Sequence, residues 1–550
     1  MSPTKTDSAS KDRCDMFPRH HGHNVFPNSP FFSKLLRHAH RQRVAVRDHH
    51  LEATKTYGDV LSDALALRSL LERTLSLGVL ERLRAGDEVY IGVLAAGGYE
   101  FTVAMVAALA IGAAVVPMNL VQRQGDRIPH IDVAECLRHC FVRLQPTNIV
   151  ISSDRPLNDS TAGVVIFTSG TTGRPKGSVL RRAYIHEAGL NVADGYDIRP
   201  SDVLLHVLPV HHATGLGTSF FPWLISGACI EFRTHGGFDP AWVWDRLRQG
   251  GVTVFSGVPT IYMRLMWHYQ KEIAHLSQAN REAYDAGAAS LRTLLCGSSA
   301  LQQAVQGFWT KLRNGQPILV RYGSSEVPGL TRVAANADVR TIPKGSVGSP
   351  SPGVDVKLSE DGELLIKSPL MFSGYLFDED ATRAAHDADG WFKTGDICRR
   401  DGNFLFIIGR ASVDIIKSGG YKIGALEIER ACLQLRYVRE AAVLGVEDEE
   451  YGQRVAAIIT LAQHRQTSSP GGPSKRTLSL DQLRVDLRNV IPAYKLPTLL
   501  TVVDGELPKG ETGKVQKKIL GPQLFPTPGW RNDSNVQVWN HNRDTAKAKI

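Results

Sequence analysis

The chain of 550 residues carries 64 Lys+Arg against 55 Asp+Glu, a net charge of +9. That length exceeds what one hydrophobic core usually serves and predicts two or more domains, while the mild basic excess suits anionic small molecules without marking a nucleic-acid binder. The seven cysteines (Cys14, Cys136, Cys140, Cys229, Cys296, Cys398, Cys432) are odd in number and scattered. They argue against a disulfide framework and for a reducing compartment, cytoplasmic or mitochondrial and not secretory.

In chain order, residues 1–30 mix both charge signs with histidines and Pro18, Pro27 and Pro30 and hold no apolar run, which predicts a disordered leader. From Val89, "VYIGVLAA", "FTVAMVAALAIG" and "AAVVPM" alternate strand and helix character. The apolar run Phe101 to Met118 is interrupted by Gly112 and Pro117 and falls short of the roughly 20 residues of a membrane span, so it reads as a buried helix entering a strand. Cys136, His139 and Cys140 in "ECLRHC" have no second ligand pair at zinc-site spacing, and no metal is expected there. Strands at "VVIF", "TVFSGVP" and "LRTLLCG", the last two followed by helices through Met263–Tyr269 and Val305–Lys311, predict an α/β fold of mostly parallel sheets. "EDGE" and "RDGN" between alternating runs predict β-hairpins. A smaller α+β unit follows Arg410, with a helix over Ala425–Leu435, strands "AAVLGV" and "RVAAIITL", and a helix over Asp481–Val490. "QTSSPGGPSKRT" reads as a mobile surface loop and the chain beyond Pro526 as a loose tail. The expected division is 31–410, 411–525 and a tail 526–550.

The stretch "VVIFTSGTTGRPKGS" concentrates chemistry in a loop that a buried strand delivers at its C-terminal end. Gly170, Gly173 and Gly177 permit positive φ and close approach of the backbone. The hydroxyls of Thr168, Ser169, Thr171 and Thr172, with Lys176 and Arg174, complete an oxyanion cradle suited to a polyphosphate. A Walker A loop would need glycine where Pro175 stands.

"FTSGTTGRPKG" resembles the phosphate loop of the adenylate-forming superfamily, which includes acyl-CoA synthetases. In that family's order follow "LPVHHATGLG", "LLCGSSAL", "RYGSSE", "GWFKTGD", "IGRASVDIIKSGGYKIGALEIE" and "LPKGETGKVQKK", so the resemblance covers about Phe31 to Leu520. It implies a ligase that joins a carboxylate to AMP and then passes the acyl group to CoA, with ATP, Mg²⁺ and CoA as cofactors and a small carboxylic acid as substrate. A carrier-protein acceptor is a second possibility, and a non-catalytic nucleotide-binding protein a third. The resemblance makes Glu326 the magnesium residue, Ser325 a donor to the α-phosphate, Gly323 a further ATP contact, Tyr322 a platform for adenine, and Gly297 and Ser298 part of the adenine pocket. Asp396 and Arg410 become the ribose contacts. Lys514 becomes the adenylation lysine, a catalytic role shared with Glu326 and Thr168, whereas Lys509, Lys517 and Lys518 read as a solvated face. Ser412 falls at the hinge position, with Asp414 as the alternative, and Gly419, Gly420, Tyr421 and Lys422 would meet the pantetheine arm after a domain rotation.

For the acid, the resemblance places His212 at the gate of the acyl pocket and Arg321 beside it. A guanidinium there could grip a second carboxylate. The run "VPTIYMRLM", "GSVGSPSPGV" and "SVDIIKSGGYKI" looks closest to malonyl-CoA synthetases, but those commonly have histidine where Thr214 stands, which leaves a monocarboxylic or specialised acid open. The segment between Pro117 and Thr168 is shorter than in most relatives.

Overall fold

The computed structural model describes Gly22, Val133 and residues 24–118, 143–168, 175–233, 238–462, 478–510, 514–526 and 529–539. The loop residues Ser169, Gly170, Thr171, Thr172 and Gly173, the "ECLRHC" segment and the "QTSSPGGPSKRT" insertion lie outside the described residues.

Short β-branched runs build the central layer. Strands Ile318–Tyr322, Thr293–Cys296, Val254–Gly257, Val203–His206, Cys229–Phe232 and Val44–Asp48 lie side by side and parallel in a nine-stranded sheet, whose edge strands are antiparallel. A second sheet of five strands runs Gly374–Tyr375, Lys176–Arg181, Ala162–Thr168, Ala114–Met118, Tyr90–Leu94. Between the sheets, the helix Tyr99–Ala110 has every residue but Glu100 buried. A helix apolar on all sides is stable only in such a sandwich, and this is why "FTVAMVAALA" reads as a core helix and not as an amphipathic one. Among the described residues, no helix is long and apolar enough to cross a membrane.

The two expected hairpins form. Asp355–Leu358 pairs antiparallel with Glu363–Lys367, and Phe392–Asp401 with Phe404–Arg410, in a four-stranded sheet. Gly362 (φ +82°) and Gly402 (φ +55°) make the turns that non-glycine residues resist. From Ile415 onward the chain builds its own six-stranded sheet, with the helices Ala425–Cys432 and Leu480–Leu487 covering it.

Two sequence expectations are corrected. Val25–Asn28, inside the predicted leader, is a strand parallel to Val150–Pro156, because Phe26 is fully buried and stacks on Phe32 at 4.9 Å. A four-residue run with Pro27 inside it is too short to register as a period. Part of the predicted tail also folds back: Trp530 and Val536 are buried, Gln537–Val538 pairs with Leu499–Val503, and Arg484 lies over Trp539 at 3.7 Å. Its apolar residues are aperiodic in sequence yet each meets the small sheet.

Candidate active site

The phosphate loop springs from a hairpin. Ala162–Thr168 and Lys176–Arg181 pair antiparallel with Thr168 opposite Lys176, so the two described candidates of the loop face one another at its base. Gly177 keeps an ordinary φ, and its role is close approach: a Cβ there would stand 2.9 Å from Val165. The Ser178 hydroxyl donates to the Ser325 carbonyl at 3.1 Å, tying this hairpin to "RYGSSE".

Within that motif, Gly323 tolerates no side chain, since a Cβ would lie 2.8 Å from the Gly329 nitrogen. Glu326 is 9% exposed and its Oε1 accepts from the Tyr375 hydroxyl at 2.9 Å. The Lys176 ammonium sits 5.0 Å above the same tyrosine ring. Tyr375 thus joins Glu326 to the phosphate loop, a role the sequence reading missed because no motif or spacing links residues so far apart in the chain.

Tyr322 donates to Asp396 Oδ2 at 2.5 Å, while Arg410 Nε stands 3.3 Å from Asp396 Oδ1. Asp396 and Arg410 are direct partners across the hairpin, so the register of that hairpin assembles the triad. Burial pushes the Asp396 carboxyl up; Arg410, the Tyr322 hydroxyl and Lys514 oppose it. Lys514 is thus near enough for its charge to act on Asp396. Lys514 is exposed as a residue, yet desolvation about its ammonium, and then Arg410, push it below the usual lysine range against the pull of Asp396 and Asp414.

The neighbours of Lys514 are not a solvated face. Lys517 bonds Asp414 at 2.5 Å and Glu429 at 2.7 Å with its side chain 9% exposed, and Lys509 pairs with Glu440. Only Lys518 is exposed as expected. Ser412 lies exposed in the turn closed by Asp414 N–H donating to the Arg410 carbonyl at 2.7 Å. Gly419 (φ +54°) and Gly420 (φ +83°) make the turn of a hairpin in which Lys422 bonds Asp361 at 2.6 Å and Tyr421 stacks on Tyr494 at 4.5 Å. The four CoA candidates are not brought to the nucleotide residues in this arrangement.

His212 and Arg321 line different cavities among the described residues. His212 precedes the short helix Ala213–Leu216 and, with Thr214, Ser298, Arg264 and Lys509, lines a cleft of about 490 Å³. Ser298 borders it with φ +78°, a left-handed conformation that a serine holds only under constraint. Gly297, just before it, gives Arg321 room, since a Cβ there would lie 3.0 Å from Arg321 Cγ. Arg321 is 5% exposed and borders a separate chamber of about 30 Å³ with Tyr196, Thr218 and Arg332. Its Nη2 donates to Ser256 Oγ at 3.0 Å and the guanidinium also acts on the Tyr196 hydroxyl, whereas Nε and Nη1 meet no acceptor in good hydrogen-bond geometry.

Beneath the His212 segment, His206 is buried and bonds the Gly215 carbonyl at 2.8 Å. Burial pushes its pKa down from 6.5 to about 4. The unfolded chain therefore binds this proton first, and the fold is expected to lose roughly 3 kcal/mol as pH falls from about 6.5 to 4. Chemical denaturation against pH checks this, with the acid-limb slope shrinking in His206→Gln.

Residues 151–376 match the AMP-binding enzyme family, and residues 427–514 match the AMP-binding enzyme C-terminal domain. An acyl-CoA ligase of Aspergillus oryzae is 30% identical over 92% of this chain and 94% of its own length. The chain belongs to the adenylate-forming acyl-CoA synthetases. Other relatives of this synthetase include a probable CoA ligase of Humulus lupulus, 36% identical over 70% of the chain and 63% of that protein, so this match spans less than two thirds of the hop protein's length. The mitochondrial malonate–CoA ligase of Homo sapiens is 33% identical over 66% of each chain. Among solved structures, ATP-bound MatB from Rhodopseudomonas palustris overlays with a TM-score of 0.71 at 23% identity, covering 90% of the synthetase and 99% of MatB, and it shows the fold. A malonyl-CoA ligase ternary product complex with methylmalonyl-CoA and AMP bound overlays at 0.52 with 29% identity, covering 85% of this chain and 97% of that one.

Proposed function

We propose that this synthetase converts a short dicarboxylic acid of the malonate type to its CoA thioester through an acyl-adenylate. The observation that carries the reading is the buried Arg321 guanidinium with Nε and Nη1 unsatisfied at a small chamber. A cation so placed is costly unless an anion arrives, and the second carboxylate of a short acid supplies one. Malonate–CoA ligases among the relatives support the choice, and Thr214 is the feature that argues for a different acid. Free CoA, not a carrier protein, is the acceptor we favour, because the relatives are named CoA ligases.

In the proposed first step, an oxygen of the acid's reacting carboxylate bonds to the α-phosphorus of ATP and the bond to the β-phosphate oxygen breaks, releasing pyrophosphate. Like-charge repulsion is the main obstacle, so charge neutralisation and alignment dominate catalysis. Lys176 and the hydroxyls of Thr168, Ser169, Thr171 and Thr172 take the leaving phosphates; Asp396 and Arg410 hold the ribose; Tyr322, Gly297 and Ser298 receive adenine. Lys514 neutralises the two groups that must meet. In the second step the CoA thiol, losing its proton, attacks the acyl carbon and AMP leaves.

Glu326 fits a magnesium ion of the phosphate-bound kind. Among the described residues no cluster of three or more metal-ligating side chains exists, so one carboxylate beside the phosphate loop would share the ion with the nucleotide. The bound ion would supply further neutralisation of the phosphate oxygens. Glu326→Gln is expected to raise the half-saturating Mg²⁺ concentration about tenfold or more, read from pyrophosphate release across a magnesium titration. We place the enzyme in the cytoplasm or the mitochondrion, the latter favoured by the mitochondrial relatives.

Pyrophosphate release with malonate, methylmalonate and the monocarboxylic series from acetate to dodecanoate, with and without CoA, tests the whole reading. Preference for monocarboxylic acids would refute the substrate, and adenylation without CoA consumption would refute the acceptor.

A further inference from the structure

Arg332 is the direct cross-strand partner of Arg321, since Thr331–Arg332 runs antiparallel to Ile318–Tyr322 with the two arginines opposite one another. Residues so paired leave the same face of a sheet, and like charges directly opposite destabilise it. Both arginines line the chamber of about 30 Å³, together with Tyr196 and Thr218. The Arg332 guanidinium rests on Gly195, where a Cβ would overlap its Cζ and Nη1, and Nη1 donates to the Asn191 carbonyl. Among the described residues no carboxylate stands at ion-pair distance from either arginine, and Asp194 acts on Arg332 only through its charge. Tyr196, whose hydroxyl feels both cations, is pushed up by burial and stays neutral, so it offers no counter-charge. A buried and a partly buried cation facing one chamber are costly unless an anion completes them. The chamber has room for about two water-sized groups, the span of a carboxylate's pair of oxygens.

We propose that Arg332 is a second anchor for the non-reacting carboxylate of the acid, which it shares with Arg321 across the paired strands. This rests on the dicarboxylic-acid reading above. An acid without a distal anion leaves two cations uncompensated, so the site selects for charge at that end and not merely for a short chain. The competing role is structural: a cation at the C-terminal end of the helix Gly189–Gly195, held by the Asn191 carbonyl, which predicts no preference among acids.

The test is Arg332→Met in the full-length enzyme, with malonate and acetate as the acids. The expected result is a rise of about 10–100-fold in the KM for malonate, with acetate changing by no more than about threefold and a smaller upward shift of the thermal midpoint on adding malonate. Because one anion serves both arginines, Arg321→Met combined with Arg332→Met should cost malonate less than the product of the two single losses. Gly195→Ala keeps both arginines and crowds the Arg332 head off its seat, so it decides the matter should Arg332→Met fail to fold; a rise of about threefold or more in the malonate KM is expected, again sparing acetate. An unchanged malonate KM in either variant, equal losses on malonate and acetate, or losses that multiply in the double variant overturns the role of Arg332, while a loss in Arg321→Met confined to dicarboxylic acids leaves the dicarboxylic reading standing. Wild-type enzyme that activates no dicarboxylic acid overturns both.

Discussion

Replacing Lys514 by alanine is expected to slow acyl-adenylate formation by about 10²–10³-fold, the scale of losing one aimed charge, while thioester formation from supplied acyl-AMP and CoA stays within a few-fold of wild type. The split follows from where the side chain stands. Its ammonium is near enough for the charges of Arg410, Asp396 and Asp414 to act on it, which suits the proposed step in which phosphate and carboxylate meet. Single-turnover measurement of each half-reaction checks the expectation, and equal loss in both would contradict it. The pH dependence carries a second signature. Crowding and Arg410 hold the ammonium below the usual lysine range, so adenylation should fall on the alkaline side earlier than a free lysine would titrate. Lys514→Arg, charged throughout, should remove that limb whatever its rate. For the fold the sign is reversed: the charged ammonium costs stability, and the cost disappears as pH rises through the lowered pKa.

Replacing Arg321 by methionine is expected to lower kcat/KM for malonate by about 10²–10³-fold with little change for acetate. The same variant should unfold at an equal or higher temperature without ligand. A guanidinium with Nε and Nη1 unsatisfied in a buried chamber is a burden on the folded state, and an apolar side chain of similar reach lifts it. Opposite signs for stability and activity distinguish a substrate anchor from a structural arginine such as Arg313, whose nitrogens donate to the carbonyls of Leu291, Arg292, Gln316 and Pro317. Equal loss on both acids, or a collapse in thermal stability, would refute the anchor.

Much of this was legible before the structure. The buried helix of Tyr99–Ala110, the parallel strands and the two glycine hairpins follow from periodicity and turn residues, and Asp396 and Arg410 stand together because a hairpin register can be read from "RDGN". What escaped was whatever depends on distant pairing. Tyr375 under Lys176, Lys517 between Asp414 and Glu429, and Phe26 stacked on Phe32 belong to no motif; each acquires its role only from the element folded against it. The separation of His212 from Arg321 was hidden for the same reason. Neighbouring motifs in a family order do not reveal that His212 and Arg321 line different cavities.

One carboxylate straddles the junction between the two sheets that the enzyme must coordinate. Asp414 Oδ2 accepts from the Arg410 amide at 3.1 Å, and Oδ1 accepts from Lys517 in the small domain. Since Lys517 is also locked to Glu429, everything from Asp414 onward at this point is braced to the small sheet. A displacement of that sheet relative to Asp396 and Arg410 would fall on Ala411, Ser412 and Val413, the residues between the two anchored ends, and would strain the Oδ2 bond. The junction is thus latched at several points, the Asp414 carboxylate nearest the chain crossing, Lys422 on Asp361 and Arg430 on the Ile407 carbonyl beyond it.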